Sequence, residues 1–336
     1  MNHRVLGRTG LRVSEIGFGA WGIGGQPEAA RRSYGPTDDA VSLAALEAAW
    51  DLGGNFIDTA DAYGAGHSET LIGRFLAGRR DRVVVATKFG HFPFADPRRH
   101  DPTAANIRFC LEESLRRLAT DYVDVYQCHE CSLESARRHG VAATLEALKA
   151  EGKIRHAGIS VYGPTQIRQV ARGDYGAVFE TIQESYNPTT LAFRDPLHEA
   201  AAAGLGIIGR EPLGNGLLTG RWTGREEWGG KHARGVRTPE QTAMRVECAR
   251  RLRELLPAAG RSLVQALIRY SLDDVPASVV IPGCKTPEQA RENFGASASP
   301  PLTERERAAV REVHADLERA FGRIHPYAMG NTLGLE

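Results

Sequence analysis

Short β-prone runs alternate with longer helical patterns along this chain, and no other feature constrains its fold as strongly. Such alternation is typical of βαβ units that share a parallel sheet. Eight units without a break over 336 residues predict a single-domain (β/α)8 barrel spanning residues 1–336, with an open doubly wound sheet as the alternative. The predicted strands are Ser14–Phe18, Asn55–Asp58, Val83–Thr87, Tyr122–Tyr126, His156–Ile159, Phe179–Gln183, Gly206–Gly209 and Ser278–Ile281.

Helical periodicity fills most of the intervals between these strands. The predicted helices are Thr37–Leu52, Ser68–Leu76, Thr103–Leu118, Val141–Ala150, Thr165–Ala171, Asp195–Ala203 and Ser262–Leu272. Three further helices are predicted to begin with a capping box, at Thr238, Thr286 and Thr303, because Gln or Glu lies three residues after each threonine.

Segments outside the repeating units have predictions of their own. Arg4–Val13 is expected to form an N-terminal hairpin with Thr-Gly in its turn. The long connections His91–Asp101 and Gly214–Gly235 are expected to cover the C-terminal face of the barrel as lids. Residues from about 322 to 336 lack clear periodicity and form a tail.

Composition excludes several classes of function. The net charge is +1, so no strong field favours nucleic acid or an anionic membrane as partner. No apolar run approaches the roughly 20 residues that span a bilayer, and the N-terminus does not resemble a signal peptide. Five cysteines without a dense framework indicate reduced thiols and a cytoplasmic protein. The single Cys-x-x-Cys pattern, Cys128 to Cys131, lacks a second pair, so we predict no metal site.

Four chemically capable residues lie at or just after the predicted strand ends. They are Asp58, Tyr63, Lys88 and His129. Strand C-termini of a barrel converge on one face, where active sites form. A carboxylate, a tyrosine, a lysine and a histidine brought together there could transfer protons.

A glycine pattern early in the chain is not the expected nucleotide site. Residues Gly17 to Gly22 formally match the G-x-G-x-x-G fingerprint after a predicted strand. That fingerprint requires a helix at its third glycine, but no helical pattern begins until about Thr37. We therefore do not expect a Rossmann site.

Seven blocks of the sequence, in order, resemble the aldo-keto reductase superfamily. They are Phe56-Ile57-Asp58-Thr59-Ala60-Asp61-Ala62-Tyr63-Gly64 with Ser68-Glu69; Ala86-Thr87-Lys88-Phe89-Gly90; Asp121 to His129; Gly152 to Ser160; Gln183-Glu184-Ser185-Tyr186-Asn187; Pro212 to Gly220; and Ile281-Pro282-Gly283 through Asn293. The resemblance implies a (β/α)8 barrel that binds NAD(P)H across its C-terminal face.

The resemblance also implies catalytic roles. Tyr63 would protonate the carbonyl oxygen as hydride arrives, Asp58 would hold Lys88, and His129 would orient the carbonyl. Since a free tyrosine has a pKa near 10, Tyr63 should hold its proton at neutral pH. We expect the Lys88 ammonium to lower that pKa, which would make both reaction directions accessible.

Cofactor contacts are implied in the same way. Ser160 and Gln183 would hold the nicotinamide carboxamide, although Val161 replaces the usual asparagine and removes one hydrogen bond. Arg210 would stack on the cofactor or pair with an acid such as Glu211. The remaining implied contacts are Leu213, Gly216, Leu217 and Arg221 at the pyrophosphate, and Gly283, Lys285, Gln289, Glu292 and Asn293 at the adenosine end.

The expected cofactor and substrate follow from these residues. Lys285 before a helix N-terminus suits a 2′-phosphate, so we expect NADP(H) to be preferred, with NAD(H) possible. Trp21 and either Phe92 or Phe94 could form an apolar wall for a small carbonyl or sugar-like substrate. Reduction of an aldehyde or ketone is the primary hypothesis. The alternatives are a sugar lactol or pyridoxal-type dehydrogenase, and a regulatory subunit that binds NADP(H) with little turnover.

Overall fold

A closed barrel of eight parallel strands forms the body of the protein. The computed structural model describes residues 1–30, 32–91, 101–161, 163–229, 232–256 and 260–322. The strands follow one another around the sheet in chain order. Parallel bridges from Ile16 to Val280 and from Gly19 to Gly283 join the first barrel strand to the last. The closed (β/α)8 fold is therefore confirmed, and the open sheet is excluded.

An antiparallel hairpin precedes the barrel. Its strands are β1 (His3–Val5) and β2 (Arg12–Ser14). The barrel strands are β3 (Phe18–Gly19), β4 (Phe56–Asp58), β5 (Val84–Phe89), β6 (Val123–His129), β7 (Ile154–Ser160), β8 (Phe179–Ser185), β9 (Gly206–Arg210) and β10 (Val279–Ile281).

Helices cover the outside of this sheet. They are α1 (Asp39–Asp51), α2 (His67–Leu76), α3 (Ala104–Leu118), α4 (Leu133–Arg138), α5 (Val141–Ala150), α6 (Pro164–Ala171), α7 (Arg194–Ala202), α8 (Pro239–Leu255), α9 (Leu263–Asp273), α10 (Pro287–Gly295) and α11 (Glu304–Phe321). Within the described ranges, none of them is long and apolar enough to cross a membrane.

The strand predictions are confirmed in number and order, but two kinds of boundary differ. The first barrel strand begins at Phe18, because Ser14 belongs to the hairpin, where it pairs with His3. Strands β5, β6 and β8 extend two or three residues beyond their apolar runs. Among these extra residues, Lys88 and Gln127 bond to other polar groups inside the barrel, whereas Phe89 and Cys128 pack in the hydrophobic core.

All three helices predicted from capping residues begin directly after the predicted threonine, but only two of the capping boxes are complete. Thr238 and Thr303 form complete capping boxes. Thr286 accepts the N–H of Gln289, but the Gln289 side chain accepts the N–H of Lys285 at 2.8 Å. The predicted box at Thr286 is therefore only half formed. Helix α4 was not predicted, because six residues are too few to show periodicity.

The hairpin closes the N-terminal end of the barrel. Leu6 and Val13 pack in one buried cluster with strand residues that include Phe56 and Ile208. A Cβ at Gly206 would lie 2.8 Å from the Leu6 side chain, so glycine allows this close packing. The C-terminal end is left as the location for polar chemistry.

Candidate active site

Alternation along the strands places polar groups above the apolar cluster. Side chains two residues apart in a strand point to the same face. Asp58 therefore lies above Phe56, and Lys88 above Ala86, on the inside of the barrel. Parallel pairing sets these strands side by side. The polar side chains consequently meet at the C-terminal end.

Lys88 is the centre of this polar group and is fully buried. Its Nζ atom donates to Asp58 Oδ1 at 2.6 Å, to the Thr59 carbonyl at 2.8 Å and to the Tyr63 hydroxyl at 3.2 Å. These three acceptors use all three ammonium protons. Burial lowers the pKa of Lys88, and the Asp58 carboxylate opposes that change.

Asp58 is held on its other side by two amides. Its Oδ2 atom accepts from Gln127 Nε2 at 3.0 Å and from Gln183 Nε2 at 2.7 Å. The same Gln183 nitrogen lies 3.2 Å from Gln127 Oε1. The Gln183 amide nitrogen, which the resemblance assigned to the nicotinamide, is thus engaged within the barrel. Gln127 was not predicted.

Tyr63 lies in the loop after β4, where its hydroxyl meets Lys88. Its ring stacks on Trp21, with centroids 5.8 Å apart, and meets the His129 ring edge-on at 6.1 Å. Burial, followed by the charge of Asp58, raises the pKa of Tyr63 well above 10. Our expectation that Lys88 would lower this pKa is therefore wrong, because burial outweighs the nearby ammonium, whose charge Asp58 also balances at 2.6 Å.

His129 ends β6 and belongs to a second polar group. Its Nε2 atom lies 3.8 Å from Glu130 Oε1, and its ring centroid is 4.6 Å from that of His91. Ligand atoms of His91, His129 and Glu130 all lie within 4.8 Å of one another, a set that could hold a metal ion. Cys128 and Cys131 are in the hydrophobic core instead. The absence of a metal stays a prediction.

The end of β7 lies beside this group. Ser160 is buried, and its carbonyl accepts the Glu130 N–H at 3.1 Å. Val161 is also buried, and its N–H donates to the Gln183 carbonyl at 3.2 Å. The side chain that replaces the usual amide is therefore packed in the core.

Arg210, at the end of β9, forms ion pairs with two acids. Its guanidinium lies 3.2 Å from Glu184 Oε1 and 3.1 Å from Glu211 Oε1. Burial alone would raise the pKa of Glu211, but Arg210 and Arg237 lower it overall. The side chain is 15% exposed, so part of it remains accessible to solvent.

The loop after β9 contains the predicted pyrophosphate contacts Leu213, Gly216 and Leu217. The Gly216 N–H donates to the Leu213 carbonyl at 2.8 Å, so this donor would reach a phosphate only if the turn opened. Gly216 has φ of +82°, and a Cβ there would lie 2.9 Å from Arg234 Nη2. Arg234 was not predicted, since it is distant in sequence.

The residues predicted for the adenosine end lie between the end of β10 and the end of α10. Lys285 Nζ donates to the carbonyls of Tyr34 at 3.2 Å and Pro36 at 3.1 Å. Asn293 Nδ2 donates to the Gly283 carbonyl at 3.3 Å. The remaining two predicted residues there are Gln289, bound to the Lys285 N–H, and Glu292, whose Oε2 lies 3.7 Å from Arg221 Nη2.

Three basic side chains cluster between these two regions. Burial, followed by the charges of Arg234 and Lys285, lowers the pKa of His232. Burial and the nearby Arg234 likewise lower the pKa of Lys285. A parallel β-bridge joins His232 to Ser33. The loop after β9 therefore lies next to the segment whose Tyr34 and Pro36 carbonyls accept from Lys285. Mutual repulsion of this kind is relieved by a bound anion.

Of the predicted substrate contacts, Trp21 lies at the site and Phe92 lies outside the described residues. Trp21 touches Tyr63 on one side and Tyr34 on the other, with a centroid distance of 4.9 Å to the latter. The missed residues, His91, Gln127, Glu130 and Arg234, are adjacent to predicted ones in space. Glu130 alone carries a sequence signal, because it directly follows His129.

Known proteins share this arrangement of sequence and fold. The family model described as aldo/keto reductase family matches residues 15–315. The L-galactose dehydrogenase of Arabidopsis thaliana is 32% identical over 327 residues, covering 94% of each chain. An aldo-keto reductase of Schizosaccharomyces pombe whose name specifies NADP(+) is 29% identical over 84% of each chain. The holo form of an aldo-keto reductase from Bacillus halodurans matches with a TM-score of 0.76 at 29% identity, covering 93% of this chain and 96% of that one. The present chain belongs to the aldo/keto reductase family.

Proposed function

We propose that this aldo-keto reductase interconverts an aldehyde or ketone with its alcohol, using NADP(H) and Tyr63 as the general acid and base. One observation carries the proposal. Lys88 Nζ lies between Asp58 Oδ1, at 2.6 Å, and the Tyr63 hydroxyl, at 3.2 Å, at the end of the barrel where active sites form.

Reduction uses Tyr63 as a proton donor. NADPH, when bound, supplies the hydride. Tyr63 keeps its proton at neutral pH because its pKa is raised by burial and by Asp58. It donates this proton to the carbonyl oxygen, and the Lys88 ammonium stabilises the phenolate that remains. Asp58 keeps Lys88 in place, and His129 Nε2 orients the carbonyl.

The residues around the groove fit a phosphorylated dinucleotide. Arg234 and Lys285 each provide a cation, and Gly216 leaves room that a Cβ would fill beside Arg234. Lys285 also precedes the N-terminus of α10, whose free N–H groups favour an anion. These features, and the NADP(+) in the name of the Schizosaccharomyces pombe relative, support NADP(H) over NAD(H).

A second candidate is the oxidation of a sugar lactol or a pyridoxal-type alcohol. The similarity to L-galactose dehydrogenase favours it. The same residues would act in reverse, with Tyr63 as base. The raised pKa of Tyr63 makes that direction more demanding at neutral pH.

The compartment is inferred from the thiols. All five cysteines are free and buried. Reduced cysteines are usual in the cytosol, which supports a cytoplasmic location.

The decisive assay mixes purified protein with NADPH and 4-nitrobenzaldehyde and follows loss of NADPH absorbance. Tyr63→Phe should lower kcat by about 10² to 10⁴, the usual contribution of a general acid. Tyr122→Phe is a matched control. Tyr122 is also half-buried, and the Arg80 guanidinium lies 3.9 Å from the centre of its ring. It lies at the opposite end of β6 from His129.

Each outcome has a clear meaning. Turnover that disappears only in Tyr63→Phe, with NADPH preferred to NADH, supports the proposal. NADPH binding without reduction, but with oxidation of aldoses by NADP+, favours the second candidate. Binding without turnover in either direction favours a regulatory subunit, and no binding of either nucleotide refutes the proposal.

A further inference from the structure

Glu130 has an unusual backbone conformation for its position. It directly follows the last residue of β6 and has φ of +68°, in the left-handed region. A residue with a side chain is strained there by about 1–3 kcal/mol, and such strain concentrates at functional sites. The Glu130 N–H donates to the Ser160 carbonyl at 3.1 Å, which ties the strained residue to the end of β7.

The Glu130 carboxylate lies among the groups that would surround a reacting carbonyl. Its Oε2 atom is 3.3 Å from His91 Nε2, and its Oε1 atom is 3.8 Å from His129 Nε2. Burial is the main reason for the raised pKa of Tyr63, and the charge of Glu130 contributes. The His91, His129 and Glu130 side chains are each 11–14% exposed, so all three reach an accessible surface.

We infer that Glu130 and His91 form a hydroxyl-binding subsite that selects neutral, hydroxylated carbonyl substrates over phosphorylated or carboxylated ones. This inference rests on the proposed function, because it places the carbonyl between Tyr63 and His129. The carbon next to that carbonyl then lies on the Glu130 side, and a hydroxyl on it can donate to the carboxylate.

The chemistry of the subsite gives both attraction and exclusion. A carboxylate can accept hydrogen bonds from two neighbouring hydroxyls. Hydrogen bonds to a charged group are stronger than hydrogen bonds between neutral groups. A substrate without the hydroxyl forgoes this hydrogen bond, which lowers its kcat/KM relative to that of the hydroxylated substrate. An anionic substituent placed a few ångströms from Glu130 in this partly buried setting is repelled.

The test compares three small aldehydes with NADPH: glyceraldehyde, propanal and glyceraldehyde 3-phosphate. The parent should show a higher kcat/KM for glyceraldehyde than for either of the others. In Glu130→Gln the ratio of kcat/KM for glyceraldehyde to that for propanal should fall about 10- to 100-fold. In the same variant, the ratio of kcat/KM for glyceraldehyde 3-phosphate to that for propanal should rise.

A second variant and a control keep the result interpretable. Glu130→Gly removes the carboxylate and also relieves the strain, so it should fold and give the same loss of ratio. Glu180→Gln is the matched control, because Glu180 is 15% exposed and pairs with His156 at 2.9 Å near the start of β8. It should keep the parent ratio.

The outcomes separate this inference from the proposed function. Unchanged ratios in both Glu130 variants, in protein that reduces 4-nitrobenzaldehyde, would overturn the subsite alone. If the parent reduces none of the aldehydes, the proposed function fails with it. Activity that is lost on chelation and restored by Zn²⁺ would also overturn the inference, in favour of a metal held by His91, His129 and Glu130.

Discussion

Asp61 is a buried acid whose removal should change how stability depends on pH. Its side chain is 1% exposed, and its N–H donates to the Lys88 carbonyl at 3.4 Å. Burial, with repulsion from Glu69, raises its pKa from 3.8 to about 7, while His91 and Arg117 oppose this only in part. Glu69 itself is occupied by Thr87 and Arg117, at 2.6 and 2.7 Å.

The sign follows from proton binding. Between pH 3.8 and about 7 the folded protein holds a proton on Asp61 that the unfolded chain has lost. Stability therefore falls as pH rises through this window and levels off above it. The linked cost is about 1.5 kcal/mol at pH 5 and about 4 kcal/mol at pH 8. Asp61→Asn has no ionisable group there and escapes this cost.

The expected result is a stability difference that grows with pH. The free energy of unfolding of Asp61→Asn, minus that of the parent, should increase by about 2.5 kcal/mol between pH 5 and pH 8. Any constant cost of burying the amide cancels in this comparison. Reversible urea unfolding at both pH values measures it.

The control is Asp51→Asn at the end of α1, where the side chain is exposed. It introduces the same Asp-to-Asn change at an exposed site, and the pH-dependent difference of Asp61→Asn is measured relative to it. A difference for Asp61→Asn that is constant, or that shrinks as pH rises, would refute the reasoning and show that the Asp61 carboxylate is compensated when ionised.

Three further outcomes concern the cofactor groove and Tyr63. Lys285→Met should raise KM for NADPH about 10- to 100-fold, because it removes a charge-assisted hydrogen bond of about 1.5–3 kcal/mol. It should change KM for NADH far less. Equal effects on the two KM values in steady-state kinetics would contradict the assignment of Lys285 to the 2′-phosphate. Gly216→Ala should weaken NADPH binding about tenfold or more, because its Cβ would lie 2.9 Å from Arg234. The control is Gly78→Ala, which has a similar φ of +72° and no atom within 4 Å of the added Cβ, and which should leave NADPH binding unchanged. Fluorescence titration with NADPH compares the two variants. The rate of alcohol oxidation should keep rising up to about pH 10, because oxidation needs the Tyr63 phenolate and because burial and Asp58 raise the pKa of Tyr63 above that value. The rate of reduction should not fall over this range through ionisation of Tyr63. A plateau of the oxidation rate near neutral pH would exclude Tyr63 as the base.

The strand ends were readable because parallel strands place their C-termini on one face whatever the loops do. Asp58 and Lys88 could therefore be assigned to one site before any contact was known. Gln127 could not, since its place beside Asp58 depends on the register between β5 and β6. The direction of the pKa change at Tyr63 was wrong because a sequence lists neighbouring charges but not the burial that outweighs them.

The residues proposed to bind the cofactor could be named from the sequence, but the contacts that they make could not. Lys285 was identified from the family resemblance, yet its contacts with the carbonyls of Tyr34 and Pro36 join segments about 250 residues apart. Arg234 reaches Gly216 through a loop without periodicity. Glu130 was visible next to His129, but its positive φ and its pairing with His91 arise only when the loops meet.

Because the interior of the barrel is layered, the candidate site forms only if its strands keep their register. Phe56 and Ala86 lie in the lower apolar layer, and Asp58 and Lys88 follow each of them by two residues. Deletion of one residue before Ala86 would turn Lys88 outward, toward the helices, and would bring Thr87 into the interior. Sequence changes in the loops can therefore alter the substrate gradually, whereas a single-residue deletion in β5 would remove the proposed proton transfer and the barrel packing together. Insertions and deletions among relatives of this chain should accordingly be confined to the loops.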